Sequence, residues 1–242
     1  MISSREGEIN HEARRNHMAE LKYTIAPITP ENYESVNGDC WESRKIQQKL
    51  FETQEILGFG AWEGPACVGS LHCYKVTLPE WDDSVFPEYG RRRLEDWPLG
   101  WPLKAAKAKQ LSFRGPVWGH ACFHVGRLIN THHSERAYMG QGIGRALLAA
   151  SIAWARKHEY AAIIAIGGSK IVPEYNVVMG CLPWTTYANS GFHVAALEED
   201  GLKAPWWTEA WDDATVKGQV EEALQNKDNI EKICARLMVL DL

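Results

Sequence analysis

A chain of 242 residues, 45% hydrophobic and 24% charged, is long enough to bury a sizeable core without disulfides or a structural metal, and this composition excludes wholesale disorder and a fibrous repeat. The formal net charge of −5 and pI near 6.0 give no general attraction to polyanions, so nucleic acid is not an expected partner and any anionic ligand must be held locally. Residues 1–20 carry charges throughout with no apolar stretch of signal-peptide length, no run of about eighteen apolar residues occurs anywhere, and the six cysteines contain no CxxC pair, which together suit a cytoplasmic protein with reduced thiols and no membrane span.

Taken in chain order, residues 1–20 read as a flexible extension before a single domain over 21–242. Leu21 to Ala26 alternates as a first strand ended by Pro27, Thr29-Pro30-Glu31 supplies a helix start, and Trp41 to Gln54 is amphipathic at helical spacing. Ile56 to Trp62 and Ala66 to Val76 are β-rich runs joined by the turn residues Glu63-Gly64-Pro65, an antiparallel hairpin. Residues 77–116 follow as a long insertion with clustered prolines, charges and tryptophans. Val117 to Arg127 resumes strand character. Gly142 to His158 then sets Ile143, Leu147, Leu148, Ile152 and Ala155 on one helical face, and Tyr160 to Ile166 is a continuous apolar run of the kind that forms an interior parallel strand. Strand, helix and strand in that order make a right-handed βαβ unit. Phe192 to Leu197 and Cys234 to Leu240 read as closing strands around a second insertion, about 199–232, with a helix near Gln219 to Gln225. The fold class is α+β: a mixed, mostly antiparallel sheet with a central βαβ unit, flanking helices and two long insertions.

Gly140, Gly142 and Gly144 fall where a polar loop becomes the first turn of a helix, so bare N–H groups can converge on an anion there with the helix dipole behind them. Two other glycine motifs do not fit. Gly168-Ser169-Lys170 reverses the order that a phosphate-binding P-loop needs, and a GxGxG spacing after the polar stretch 132–138 is not a dinucleotide fingerprint.

The segment Met139 to Gly144, followed by Arg145 and Leu147-Leu148, resembles the acyl-coenzyme A motif of the GNAT N-acetyltransferase superfamily. Its departure is Met139, where the family carries Arg or Gln. Tyr187-Ala188-Asn189-Ser190-Gly191-Phe192 is similar to a second family segment, although the asparagine often found upstream of that tyrosine stands as Gly180 here, with Asn176 a substitute only if the chain bulges. The link from Val125 to Met139 is also longer than usual. The resemblance covers roughly 21–76 and 117–197. It implies a GNAT fold and acetyl-coenzyme A or another acyl-coenzyme A as co-substrate. It also implies pyrophosphate contacts from Gly140, Gln141, Gly142, Ile143, Gly144 and Arg145, a strand N–H at Val125 on the thioester, and Tyr187 as general acid to the departing thiolate.

Direct transfer needs a neutral amine, and an ammonium of pKa ~10 costs ~4 kcal/mol to deprotonate at neutrality. His120, Cys122 and His124 fall on one strand face by period two, and His124 is the expected base. No metal is expected, because alternate positions on one strand bring no fourth ligand. Tryptophans beside acids, as in Trp81-Asp82-Asp83 and Trp211-Asp212-Asp213, suit a cationic acceptor in an enclosed pocket, so the expected reaction is N-acylation of a small-molecule amine in a ternary complex. Alternatives are a protein or peptide N-acetyltransferase, an acyl-coenzyme A-binding module without turnover, and a transferase fed by a carrier protein or tRNA. Homodimer formation is left open.

Overall fold

The computed structural model describes residues 22–36, 44–77, 110–126, 128–130, 133–134, 136–168, 176, 180–198, 218, 221–222, 225 and 235–242. The terminal extension and most of both insertions, with their tryptophan–acid clusters, lie outside the described residues.

Strand β1 (Thr24–Pro27) is the edge of the main sheet, which is where a strand tolerates proline. The expected helix start at Thr29 is instead a turn whose Asn32 side chain accepts the Thr29 N–H at 2.9 Å, followed by one 3₁₀ turn, Tyr33–Ser35. Helix α1 is Arg44–Phe51. The predicted hairpin is β2 (Gly58–Glu63) and β3 (Ala66–Thr77). Next come β4 (Pro116–Val125), a small ribbon of β5 (Leu128–Asn130) and β6 (His133–Ser134), a 3₁₀ turn (Arg136–Tyr138), and helix α2 (Ile143–Lys157). The ribbon accounts for the extra length between strand and glycine turn. Strand β7 (Ala162–Gly167), the short helix α3 (Trp184–Ala188), β8 (His193–Glu198) and β9 (Ala235–Asp241) complete the order.

The seven strands of the main sheet run β1-β2-β3-β4-β7-β9-β8, and only β4 and β7 are parallel. This is the mixed, mostly antiparallel sheet with a βαβ unit at its centre that the resemblance implies. Both faces are covered, so the central strand β7 is buried at all six positions, as its uniformly apolar sequence requires. On one face Tyr33, Leu50 and Leu57 pack with Tyr74, Val117, Ile164 and Leu237. On the other, α2 lays Ile143, Leu147, Leu148, Ile152 and Ala155 against Phe59, Leu71, Trp118 and Ile163. Each fully buried Leu or Ile contributes roughly 1.5–3 kcal/mol, so this stripe anchors the helix, and with it the glycine turn at its start.

Beta4 does not alternate regularly. Cys122 pairs with His72 and His120 with Cys73, which leaves Ala121 as an extra residue, a β-bulge. Trp118 and Phe123, an odd number of residues apart, consequently share one core face. Gln54 braces the distorted region: its side-chain amide donates to the Cys73 and Ile56 carbonyls, and its oxygen accepts the Lys75 N–H.

Candidate active site

The pairing of β4 with β7 is short, Val117 to Gly119 against Ala162 to Ile164, and β4 continues to Val125 without β7 beside it. The chain leading into α3 sits across this opening. The Phe123 N–H donates to the Gly180 carbonyl at 2.6 Å, and Gly168 exchanges bonds with the Leu182 carbonyl and the Trp184 N–H. The Gly126 N–H turns the other way, to Val68 on β3. Alternation therefore points the Val125 N–H, like that of Phe123, away from β3 and into the opening.

The glycine turn stands at the same end of the sheet. The Ile143 side chain lies over Gly69, and Gly69 is the β3 partner of Val125. Gly142, the N-cap of α2, has φ +83° and Gly140 has φ +75°, left-handed conformations that side chains other than glycine adopt with strain. Among the described residues, nothing lies within 4 Å of where a Cβ on Gly140 would stand, and the nearest group to one on Gly142 is the Arg145 guanidinium at 3.9 Å. Gly142, as N-cap, has no side chain with which to cap this helix, and the first turn holds no acid. The N–H groups of Ile143, Gly144 and Arg145 stand at the positive end of a four-turn helix, with the Arg145 guanidinium beside Gly142. By donor chemistry these residues could hold an anion such as a pyrophosphate.

The Gln141 side chain braces the turn itself. Its amide donates to the Ala137 carbonyl at 2.7 Å, and its own carbonyl faces the Tyr23 hydroxyl at 3.4 Å. Together with Tyr138, whose hydroxyl donates to Glu63 at 2.7 Å, these bonds tie the turn to the β1–β2 edge.

Tyr187 lies on α3, 1% exposed, in an aromatic cage of His120, Phe123 and Phe192. Burial, reinforced by the Cys181 and Cys73 thiols, holds its phenol pKa well above the usual value, so it keeps its proton near neutrality. Asn176 sits beneath this loop: its carbonyl accepts the Cys181 N–H at 2.9 Å.

The three residues expected on one face of β4 are divided by the bulge at Ala121. His120 points toward α2, where its Nε2 meets the Ser151 hydroxyl at 2.9 Å, and the same hydroxyl accepts the Trp118 indole N–H at 3.0 Å. Cys122 and His124 point to the opposite face, where the Cys122 Sγ lies 3.5 Å from His124 Nε2 and 3.8 Å from Nδ1 of His72 on β3. His72 is a site neighbour that sequence reasoning missed. Among the described residues, no three His, Cys, Asp or Glu side chains are placed to hold a metal ion, and no helix is long and apolar enough to cross a membrane.

Burial pushes the His120 pKa down to about 3. The unfolded chain therefore binds a proton at this residue below about pH 6.5 while the folded protein does not, and stability that is complete above that pH is lost as pH falls toward 3. The slope is about 1.4 kcal/mol per pH unit, or about 2 kcal/mol between pH 6.5 and 5. His120→Gln, which keeps a polar end for Ser151, is expected to flatten this acid loss in denaturant titrations. An unchanged slope would show that His120 titrates normally.

No protein-family profile matches the chain, and no curated protein matches it. Among solved structures it is similar to Arabidopsis thaliana NAA60 in complex with acetyl-CoA, with a TM-score of 0.47, 11% identity, and coverage of 91% of this chain and 99% of that one. It is also similar to Ard1 from Thermoplasma volcanium, at TM-score 0.42, 12% identity, 91% and 98% coverage. A third is an IAA acetyltransferase from Bacillus cereus, at TM-score 0.43, 13% identity, 91% and 99% coverage. At this level of likeness, the roles of individual residues rest on the chain's own geometry.

Proposed function

We propose that this protein is an acyl-coenzyme A-dependent N-acyltransferase that transfers an acyl group, acetyl in the first instance, directly to the amine of a small molecule. The observation that carries the reading is a single placement. A glycine-built helix N-terminus stands at the end of β4 where the Val125 N–H is turned into the opening beside β7. The turn from Gly140 to Arg145 would take the pyrophosphate, and the Val125 N–H would polarise the thioester carbonyl. His124 would accept the ammonium proton as the amine attacks, and Tyr187, kept protonated by burial, would deliver one to the thiolate as the C–S bond breaks. Acyl carbon, amine and sulfur exchange partners in one ternary complex, so no covalent enzyme intermediate is required.

The small-molecule acceptor is supported by composition. Tryptophans beside acids in 77–116 and 199–216 would pair with a cation in an enclosed site. The test is thiol release from acetyl-coenzyme A with a panel of polyamines and aminoglycosides on one side and peptides with free N-termini on the other. Turnover with the amines alone is expected. Turnover with peptides alone would move the acceptor to proteins, and tight coenzyme binding with no turnover for any amine would leave a binding module.

A further inference from the structure

Gly60, Ser70 and His124 form one row in register across β2, β3 and β4. The preceding residue, Gly69, lies under Ile143 of α2, so alternation turns Ser70 to the sheet face opposite that helix. Two polar groups beside this row are buried without a hydrogen-bond partner among the described residues, the Ser70 hydroxyl and the Trp62 indole N–H. Ser70 itself is fully buried. Glycine brings the two together. A Cβ on Gly60 would stand 2.6 Å from Trp62 Nε1, so only its absence lets the indole edge rest on the backbone across from Ser70. On this face the indole packs against the cluster that holds Tyr33, Leu50 and Cys67.

A buried donor left unpaired costs the fold its desolvation, and alanine and phenylalanine would fill these two places without that loss. The pair therefore calls for a ligand. An indole N–H only donates, and a serine hydroxyl donates one proton, so both are satisfied by an oxygen that offers two lone pairs. Neither donor is charged, which suits a neutral carbonyl better than a carboxylate, whose burial needs a counter-charge. Residues directly opposite on paired strands have Cβ atoms about 4.5–5.5 Å apart, so an oxygen held at Ser70 lies within a few bonds of an amine at His124.

We propose that Trp62 and Ser70 form an acceptor subsite that reads a neutral carbonyl oxygen close to the reacting amine, so that the preferred acceptor is an α- or β-amino carbonyl compound rather than a simple alkylamine. This rests on the acyltransferase reading and on His124 as its base. The oxygen takes both hydrogen bonds, and the short tether between oxygen and nitrogen then places the amine at His124. Trp62 and Ser70 stay outside the bond changes and set specificity. A site built on hydrogen bonds rejects an isostere that cannot make them, because its own donors then remain unpaired.

Glycinamide and isobutylamine are the probes, since they share a shape and differ in the carbonyl. Indole nitrogen-15 spectra of the full chain, with the Trp62 signal assigned from Trp62→Phe, are expected to show a saturable shift at Trp62 with glycinamide and none with isobutylamine. In turnover, Ser70→Ala and Trp62→Phe are each expected to lower the glycinamide-to-isobutylamine ratio of kcat/KM about tenfold, a comparison between proteins in which the different basicities of the two amines cancel. Ser70→Ala should keep or gain stability in denaturant titrations, because it removes an unpaired hydroxyl. Glycylglycinamide separates the sources of the carbonyl: a kcat/KM no higher than that of glycinamide is expected of a small-molecule acceptor, and a much higher one would give the same subsite to a peptide N-terminus. A Trp62 signal that glycinamide leaves in place, an unaltered ratio in both variants, or a destabilised Ser70→Ala protein, whose hydroxyl would then be bonded to a trapped water, would each overturn the proposal. The spectra need no turnover, so a protein that shifts Trp62 with glycinamide and acylates no amine would keep the subsite and lose the reaction.

Discussion

Tyr187→Phe is expected to lower kcat about 100-fold or more while leaving the affinity for acetyl-coenzyme A within about twofold, the signature of a proton donated only in the transition state. The cage explains why the substitution isolates that proton. His120, Phe123 and Phe192 hold the ring by its faces and edges, with centroids 5.1–6.3 Å away, so a phenylalanine of nearly the same volume keeps the packing. The burial that keeps the phenol protonated also makes a lasting phenolate costly, and a thiolate is a weaker base than that phenolate, so Tyr187 would act on the sulfur charge developing in the transition state and would have to be reprotonated afterwards. Stopped-flow thiol release under single-turnover conditions separates chemistry from product release. An unchanged single-turnover rate in Tyr187→Phe would remove the residue from the reaction.

The parts of this fold that depend on neighbours in sequence were legible without a structure. Helical spacing from Ile143 to Ala155 placed α2 within a residue or two of its ends, the Gly64-Pro65 turn announced the β2–β3 hairpin, and uninterrupted apolar residues marked β7 as interior. Turn, helix and strand then located the glycine cradle. What was not legible depends on long-range pairing. Cα register across β3 and β4 decides that Ala121 is the odd residue, and one inserted residue reverses which side every later side chain faces. Period-two reasoning therefore grouped His120 with His124, whereas the bulge gives His120 to Ser151 and brings His72 to His124. The only sequence trace of this was a pair of His–Cys alternations, His72-Cys73 and His120-Ala121-Cys122-Phe123-His124, on strands not known to be partners. The insertion of β9 between β7 and β8 was equally hidden, because strand order in a sheet leaves no local mark.

The second large effect is expected at the helix N-terminus, where Gly142→Asp should weaken acetyl-coenzyme A binding by about 100-fold. The change places a carboxylate where the N–H groups of Ile143 to Arg145 would meet a phosphate. Like charges about 4 Å apart repel by up to ~4 kcal/mol at a partly exposed site, enough to outweigh the attraction of the turn. Two effects of the substitution must be separated from that charge. Gly142 holds φ +83°, so any side chain brings strain, and aspartate at an N-cap offsets part of it by accepting an N–H of the first turn. Gly142→Asn supplies the control, since asparagine has the same shape, adopts the left-handed region about as readily and caps about as well, but carries no charge. The difference between the two variants in calorimetry is therefore electrostatic, and it should shrink as salt is raised. Equal losses in Asn and Asp would attribute the effect to the backbone alone. Wild-type affinity in Gly142→Asp would place the coenzyme's phosphates elsewhere on the protein.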